Sequence, residues 1–274
     1  MPPVAFALAL GAAVFHAAWN LLLARSRYTN AALAVAMVVG PLVLLPLALL
    51  RWRLEAGAVP FVIASSVLEL VYFAMLAAAY RRAELSLIYP VARGLAPVLV
   101  LIGSVVFLQA GASLTQAGGV VLVGIGVLLV RGLRAPARAS DLAIAATIAL
   151  LIASYTLVDQ QGLKYADPLP YLVLVVGIPG SFYIAVVASR GGVPRLRAAA
   201  SPAVLVGGIA VVAGYGLVLA ALTIAHAASV AAVREVSVVI ATALAAVVLH
   251  ERVSRSRWVG SIAVVGGIAL VVAA

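Results

Sequence analysis

The sequence predicts an all-α integral membrane protein, with ten transmembrane helices arranged as two inverted five-helix repeats around a central cavity. Three observations predict it. Of the 274 residues 66% are apolar and only 9% are charged, against roughly 25% charged in a soluble domain; no soluble fold of this length has interior enough to hide that surface. The apolar residues fall into ten runs, each near the roughly 20 residues that cross a bilayer as a helix. The second half of the chain also repeats features of the first.

The runs cover residues 4–24, 31–50, 58–80, 84–108, 113–131, 141–162, 168–189, 202–223, 227–249 and 256–273. The first, VAFALALGAAVFHAAWNLLLA, has no basic stretch before it and is too long for a signal-peptide core, so it reads as a retained span. All ten are too long for barrel strands of about 9–11 residues. A helix, by contrast, satisfies its own backbone groups in lipid. Connections are short. The longest polar stretch, RGLRAPARASD at 131–141, divides the chain into repeats 1–136 and 137–274.

The repeat is visible at one constant offset. Leu108 meets Leu249, Ser113 meets Ser254, Gly119 meets Gly260, Gly126 meets Gly267, and Arg93 meets Arg234. Glycine matches between apolar sequences are common by chance, whereas an intramembrane arginine recurring in register is not. Val38-Val39-Gly40 also matches Val175-Val176-Gly177, and Tyr72 matches Tyr215, at slightly different offsets. Five spans is an odd number, so the second copy must lie upside down relative to the first, as in many secondary transporters. In that arrangement the substrate site falls at the repeat interface near the bilayer midplane.

The net charge of +10 does not indicate nucleic acid, because the arginines sit between apolar runs and not in one stripe. Loops after the odd-numbered spans carry thirteen arginines, from Arg25 to Arg257, and the other face carries only Arg51, Arg53 and Lys164. By the positive-inside rule this asymmetry puts both termini outside. Cysteine is absent, which excludes thiolate metal sites and disulfides. His16, His226 and His250 do not form a ligand cluster by spacing, and no zinc-protease, hydrolase-elbow or nucleotide motif is present. Neither an enzyme nor a cofactor is expected.

The chain resembles the EamA type of the drug/metabolite transporter superfamily. The resemblance is carried by HAAWN at 16–20, AELSLIYPVARGLAP at 83–97, SYTLVDQQG at 154–162, AASVAAVREVSVV at 227–239 and LHERVSRSRWVG at 249–260. It implies export or uptake of small metabolites across a multi-pass bacterial inner membrane, and it leaves the substrate, the oligomeric state and the coupling ion open. Members of the family are drawn with cytoplasmic termini, opposite to the loop count, so the absolute orientation also stays open. The first repeat has Ala110 where the second has Glu251, which favours a structural role for that acid.

Candidate site residues are those whose polarity is costly in a span. A charged arginine at a helix centre costs about 2.5–3.5 kcal/mol on insertion scales. Arg234 either faces the cavity, where a guanidinium suits a carboxylate or phosphate, or forms a structural ion pair; its neighbour Glu235 points about 100° away and reads as structural. Arg93, between Pro90 and Pro97, either binds substrate or satisfies carbonyls that proline frees. Tyr89 lies one turn away on its face. His16 and Asn20, with Trp19 beside them, share a face of the first span, and Tyr155 and Asp159 occupy the matching places in the sixth. Glu69 ranks first as the proton-coupling carboxylate, with a salt bridge to Arg93 or Arg234 as its alternative. Asp159 ranks second, because it falls late enough in its span to sit at the interface beside Lys164. Tyr72, Tyr89, Tyr155 and Tyr215 are candidates for an aromatic wall, and the glycine pairs of the fifth and tenth spans suit close helix packing.

The expected function is therefore secondary transport of a small metabolite bearing an anionic group, such as an amino or organic acid. Proton-coupled export of cationic or drug-like compounds is the first alternative. A lipid flippase or a non-transport subunit is the second.

Overall fold

The structure, a computed structural model, describes residues 1–24, 28–81, 85–131, 138–248 and 254–274; within these, the side chains of 20–24, 29, 77–81, 85–90, 131, 191, 241 and 244–248 lie outside the described set. Its helices are α1 (Pro3–Ala24), α2 (Thr29–Leu50), α3 (Val59–Arg81), α4 (Leu85–Leu108), α5 (Leu114–Arg131), α6 (Ala139–Gly162), α7 (Pro168–Val187), α8 (Val193–Ala199), α9 (Pro202–Leu222), α10 (Ala227–Arg234), α11 (Val236–Val248) and α12 (Arg255–Ala273). Among the described residues each apolar run is occupied by helix. Among the described residues seven helices are long and apolar enough to cross a membrane, and α1 and α5 add shorter apolar stretches, Pro3–Trp19 and Leu114–Val130. Large apolar side chains such as Leu50, Ile63, Phe107, Phe182 and Ile262 are exposed around the perimeter. In lipid that perimeter is the solvated surface. The chain is a multi-pass integral membrane protein.

Two features depart from ten uninterrupted spans. The ninth run divides into α10 and α11 at Glu235, and a π-helical turn at Ala188–Gly192 leads into α8 between the seventh and eighth spans. Helix α8 carries Arg195 and Arg197 exposed, as suits a short segment at the membrane surface. By contrast α4 stays one helix through Pro90 and Pro97.

Packing pairs α5 with α12, α1 with α9, α2 with α7 and α9, α3 with α6 and α7, and α4 with α5 and α6. The α5–α12 seam shows why the repeated glycines matter. A Cβ on Gly119 would lie 2.7 Å from the carbonyl oxygen of Gly267, and one on Gly126 would lie 2.8 Å from that of Gly260. As the position advances along α5 its partner recedes along α12, so the two helices cross antiparallel with backbone against backbone. Gly118 faces open space and Gly266 touches only Leu122 at 3.9 Å, so close packing uses one member of each glycine pair and not both.

The loops after α2, α4, α6 and α9 share one face with both ends of the chain. There the backbone of Leu54 pairs with that of Ala166, and Arg53 Nε meets Asp167 Oδ1 at 3.3 Å, tying a loop of the first half to one of the second.

Candidate functional site

The turn at Glu235 answers why two opposite charges sit side by side in an apolar run. Glu235 N–H donates to Ala232 O at 3.1 Å, and Val238 N–H donates to Glu235 O at 3.0 Å, a tight turn between two helices. Arg234 thus occupies the negative C-terminal end of α10 and Glu235 precedes the positive N-terminal end of α11. Each charge is stabilised by the helix end it meets, by about 0.3–1 kcal/mol. The turn also aims the two side chains in different directions.

Glu235 points at the first half of the chain. Arg93 Nη2 lies 2.9 Å from Glu235 Oε1, both side chains being almost fully buried, and it also donates to Ser237 Oγ at 3.5 Å. Arg93, expected either to bind substrate or to satisfy carbonyls that proline frees, meets a carboxylate here. Arg93 is engaged in a structural pair, because a guanidinium at that depth needs a carboxylate and the turn delivers one.

Arg234 does reach the cavity. A space of about 70 Å³ at the centre of the bundle is lined by His16 and Trp19 of α1, Glu69, Tyr72 and Phe73 of α3, Tyr155 of α6, Tyr215 of α9 and Arg234 of α10, with small apolar residues of α2 and α7. Typical ligand pockets hold about 300–1,000 Å³, so this space has room for only a few waters. Rings form its wall: Tyr72 meets Tyr155 edge-on at 5.9 Å, and Tyr155 meets Tyr215 at 6.2 Å. Trp19 Nε1 donates to His16 Nδ1 at 3.2 Å, which leaves Nε2 as the nitrogen that carries hydrogen when the ring is neutral. The side chains of Asn20 and Tyr89, and the whole of Glu84, His250 and Glu251, lie outside the described residues.

Asp159 is not at the interface. It is completely buried, and Lys164 bonds to Gln161 instead. Ser65 Oγ donates to Asp159 Oδ1 at 2.6 Å, the Tyr171 hydroxyl donates to the same oxygen at 3.1 Å, and the Tyr215 hydroxyl donates to Oδ2. Burial is tolerated because three hydroxyl protons replace water. Sequence reasoning missed Ser65 and Tyr171. Ser65 was open to inference, lying four residues before Glu69 and so on one helix face; Tyr171 gave no such signal. On the face that holds the termini, a wider recess of about 830 Å³ is lined by Gln116, Gln160, Gln161, Lys164, His226 and Ser229 among others. Asp159 therefore lies along α6 between this vestibule and the central cavity.

A multi-pass bundle with opposite charges and aromatic rings buried around an internal cavity is the build of a membrane transporter. Residues 140–273 match the model of the EamA-like transporter family. The second half of the chain thus carries an EamA-like domain, that of transporters of the drug/metabolite type. No curated protein matches the chain. A crystal structure of a protein is similar to it at 16% identity, with a TM-score of 0.79 over 98% of this chain and 96% of that one. At that identity the likeness is one of fold, and it spans both halves.

Proposed function

We propose that the chain is a secondary transporter of a small zwitterionic metabolite, an apolar amino acid or a close analogue, working by alternating access between inverted repeats 1–136 and 137–274. The observation that carries the reading is the charge arrangement. Arg93 is neutralised by Glu235, so among the described residues the cavity presents one guanidinium, Arg234, and one carboxyl, Glu69, between aromatic rings. A guanidinium fits a carboxylate, a carboxyl and tyrosine faces fit an ammonium, and the rings fit an apolar side chain.

Helix packing supports the inverted repeat. Replacing each span by the one five further on carries α1·α9 onto α6·α3, α2·α9 onto α7·α3, and α4·α6 onto the α10–α11 span packed on α1, while α2·α7 and α5·α12 map onto themselves. A second reading, transport of cationic compounds, is favoured by Asp159, which gives the region two acids against one cavity-lining arginine among the described residues.

A matched trio separates the readings: phenylalanine, its decarboxylated amine and its deaminated acid, each offered to proteoliposomes. Phenylalanine is expected to be taken up in preference to both relatives. Arg234→Ala should cut its uptake roughly 10- to 100-fold, the loss of about 1.5–3 kcal/mol for hydrogen bonds to a charged group, and should narrow the gap to the amine. Preference of the wild type for the amine would sink the zwitterion reading.

Orientation is testable because the chain has no cysteine. Ser113 and Ser189 are exposed on opposite faces. In intact cells an impermeant maleimide is expected to label the Ser113→Cys variant and spare Ser189→Cys, as the arginine count requires; the reverse pattern puts the termini inside.

A further inference from the structure

The two spaces inside the bundle differ in size and in charge. The central cavity, at about 70 Å³, has no room for a molecule as large as phenylalanine. The vestibule, at about 830 Å³, is of the size usual for a ligand pocket. Between them stands Asp159 with the hydroxyls of Ser65, Tyr171 and Tyr215 upon it. A solute arriving from the face that holds the termini therefore finds its room in the vestibule.

The lining there suits one kind of group. Among the described residues its side chains include one ammonium, Lys164, and no carboxylate. Lys164 is exposed at the rim and donates to the amide oxygen of Gln161. The acids of this face are engaged elsewhere, Glu55 and Asp167 with Arg53, and the oxygens of Asp159 are taken by three hydroxyls. The chain ends, Met1 and Ala274, also touch the space, and their two charges are of opposite sign. Deeper in, Gln116 Nε2 donates to Ser229 Oγ at 2.9 Å, and Gln160 Nε2 donates to Ala225 O at 3.1 Å. Each amide nitrogen carries two hydrogens, so each keeps one beyond these bonds. The Ser229 hydroxyl, accepting from Gln116, keeps its own hydrogen to give. Three neutral donors and an ammonium around a space of ligand size form a receiver for a carboxylate.

We propose that the vestibule is a second, shallower binding site, in which Lys164, Gln116, Gln160 and Ser229 receive the carboxylate of a small metabolite before it passes to the central cavity. The two spaces then sort by different chemistry. With no acid to meet an ammonium, the vestibule takes a carboxylate whether or not a positive group accompanies it. The central cavity, with Arg234 and Glu69, tells those two apart. The part this site plays in passage rests on the transporter reading above, whereas binding to it is measured without transport.

Lys164 is the only lysine of the chain, which makes it the reporter. Reductive methylation of the full chain in lipid nanodiscs, followed by peptide mass mapping, reads how fast it is modified. The probes carry no reactive amine: 3-phenylpropionate, its neutral amide, the trimethylated betaine of phenylalanine, and phenethyltrimethylammonium. The acid and the betaine are expected to slow modification, and the amide and the cation to leave it unchanged. Protection should persist in Arg234→Ala, which alters the central cavity alone. Ser229→Ala and Gln160→Met should each raise the half-protecting concentration of 3-phenylpropionate about tenfold, as for a lost hydrogen bond to a charged group; either serves if the other fails to fold. Equal protection by the amide or the cation, none by the acid, indifference to both variants, or loss of protection in Arg234→Ala overturns the vestibule site and leaves the phenylalanine trio untouched. Protection by the acid alongside failed phenylalanine uptake overturns the substrate reading alone.

Discussion

Replacing Arg93 by methionine is expected to destabilise the protein by about 3–5 kcal/mol, because it strands Glu235 as an uncompensated charge in the interior. The pair spans the two halves of the chain at 2.9 Å with both side chains almost fully buried, so no water is at hand to take over from the lost partner. Glu235→Leu should cost a similar amount by stranding Arg93. The double variant Arg93→Met with Glu235→Leu should recover most of the loss, since replacing a buried pair by packed apolar groups is often neutral. Melting of the detergent-solubilised protein, monitored by the loss of its monodisperse peak, reads all three. Equal damage in the single and double variants would mean that the ion pair is not what these positions contribute.

The second large effect is steric. Gly126→Val places a branched side chain where a Cβ alone already comes within 2.7 Å of Val264 N and 2.8 Å of Gly260 O. Backbone cannot step aside as a flexible side chain does. Helices α5 and α12 must therefore separate along their whole crossing, at a cost above the about 1–3 kcal/mol usual for overpacking. Gly118→Val is the control, because nothing lies within 4 Å of its Cβ position. Comparable melting temperatures for the two variants would refute the backbone-to-backbone seam.

Much of this architecture was legible because lipid imposes strong rules on a sequence. A span needs length and apolarity, and those fixed the runs that α1 to α7, α9 and α12 occupy. The Gly119–Gly260 and Gly126–Gly267 correspondences read from the repeat turn out to be crossed in space, Gly119 against Gly267 and Gly126 against Gly260. Two antiparallel helices that meet glycine to glycine are bound to cross in that way.

What escaped was set by tertiary partners. Nothing local announces the turn at Glu235, which lacks proline and glycine. Arg93 looked like a cavity residue because its acid lies far away in sequence. The position of Asp159 near the end of its run suggested interface, while its actual surroundings are supplied by Ser65, Tyr171 and Tyr215 from three other helices. The aromatic candidates were easier: Tyr72, Tyr155 and Tyr215 stand in one chain of edge-on rings, as spacing on their helices allowed.

The interruption of the ninth apolar run has a consequence for how the molecule can move. VAAVREVSVVIATAL contains only residues that a continuous helix accepts, so its joint is not written into the local chain. At that joint a guanidinium from across the bundle clasps Glu235. Such a joint is reversible in a way that a proline kink is not: any rearrangement that drew the fourth span away would let the ninth straighten, swinging Arg234 with it.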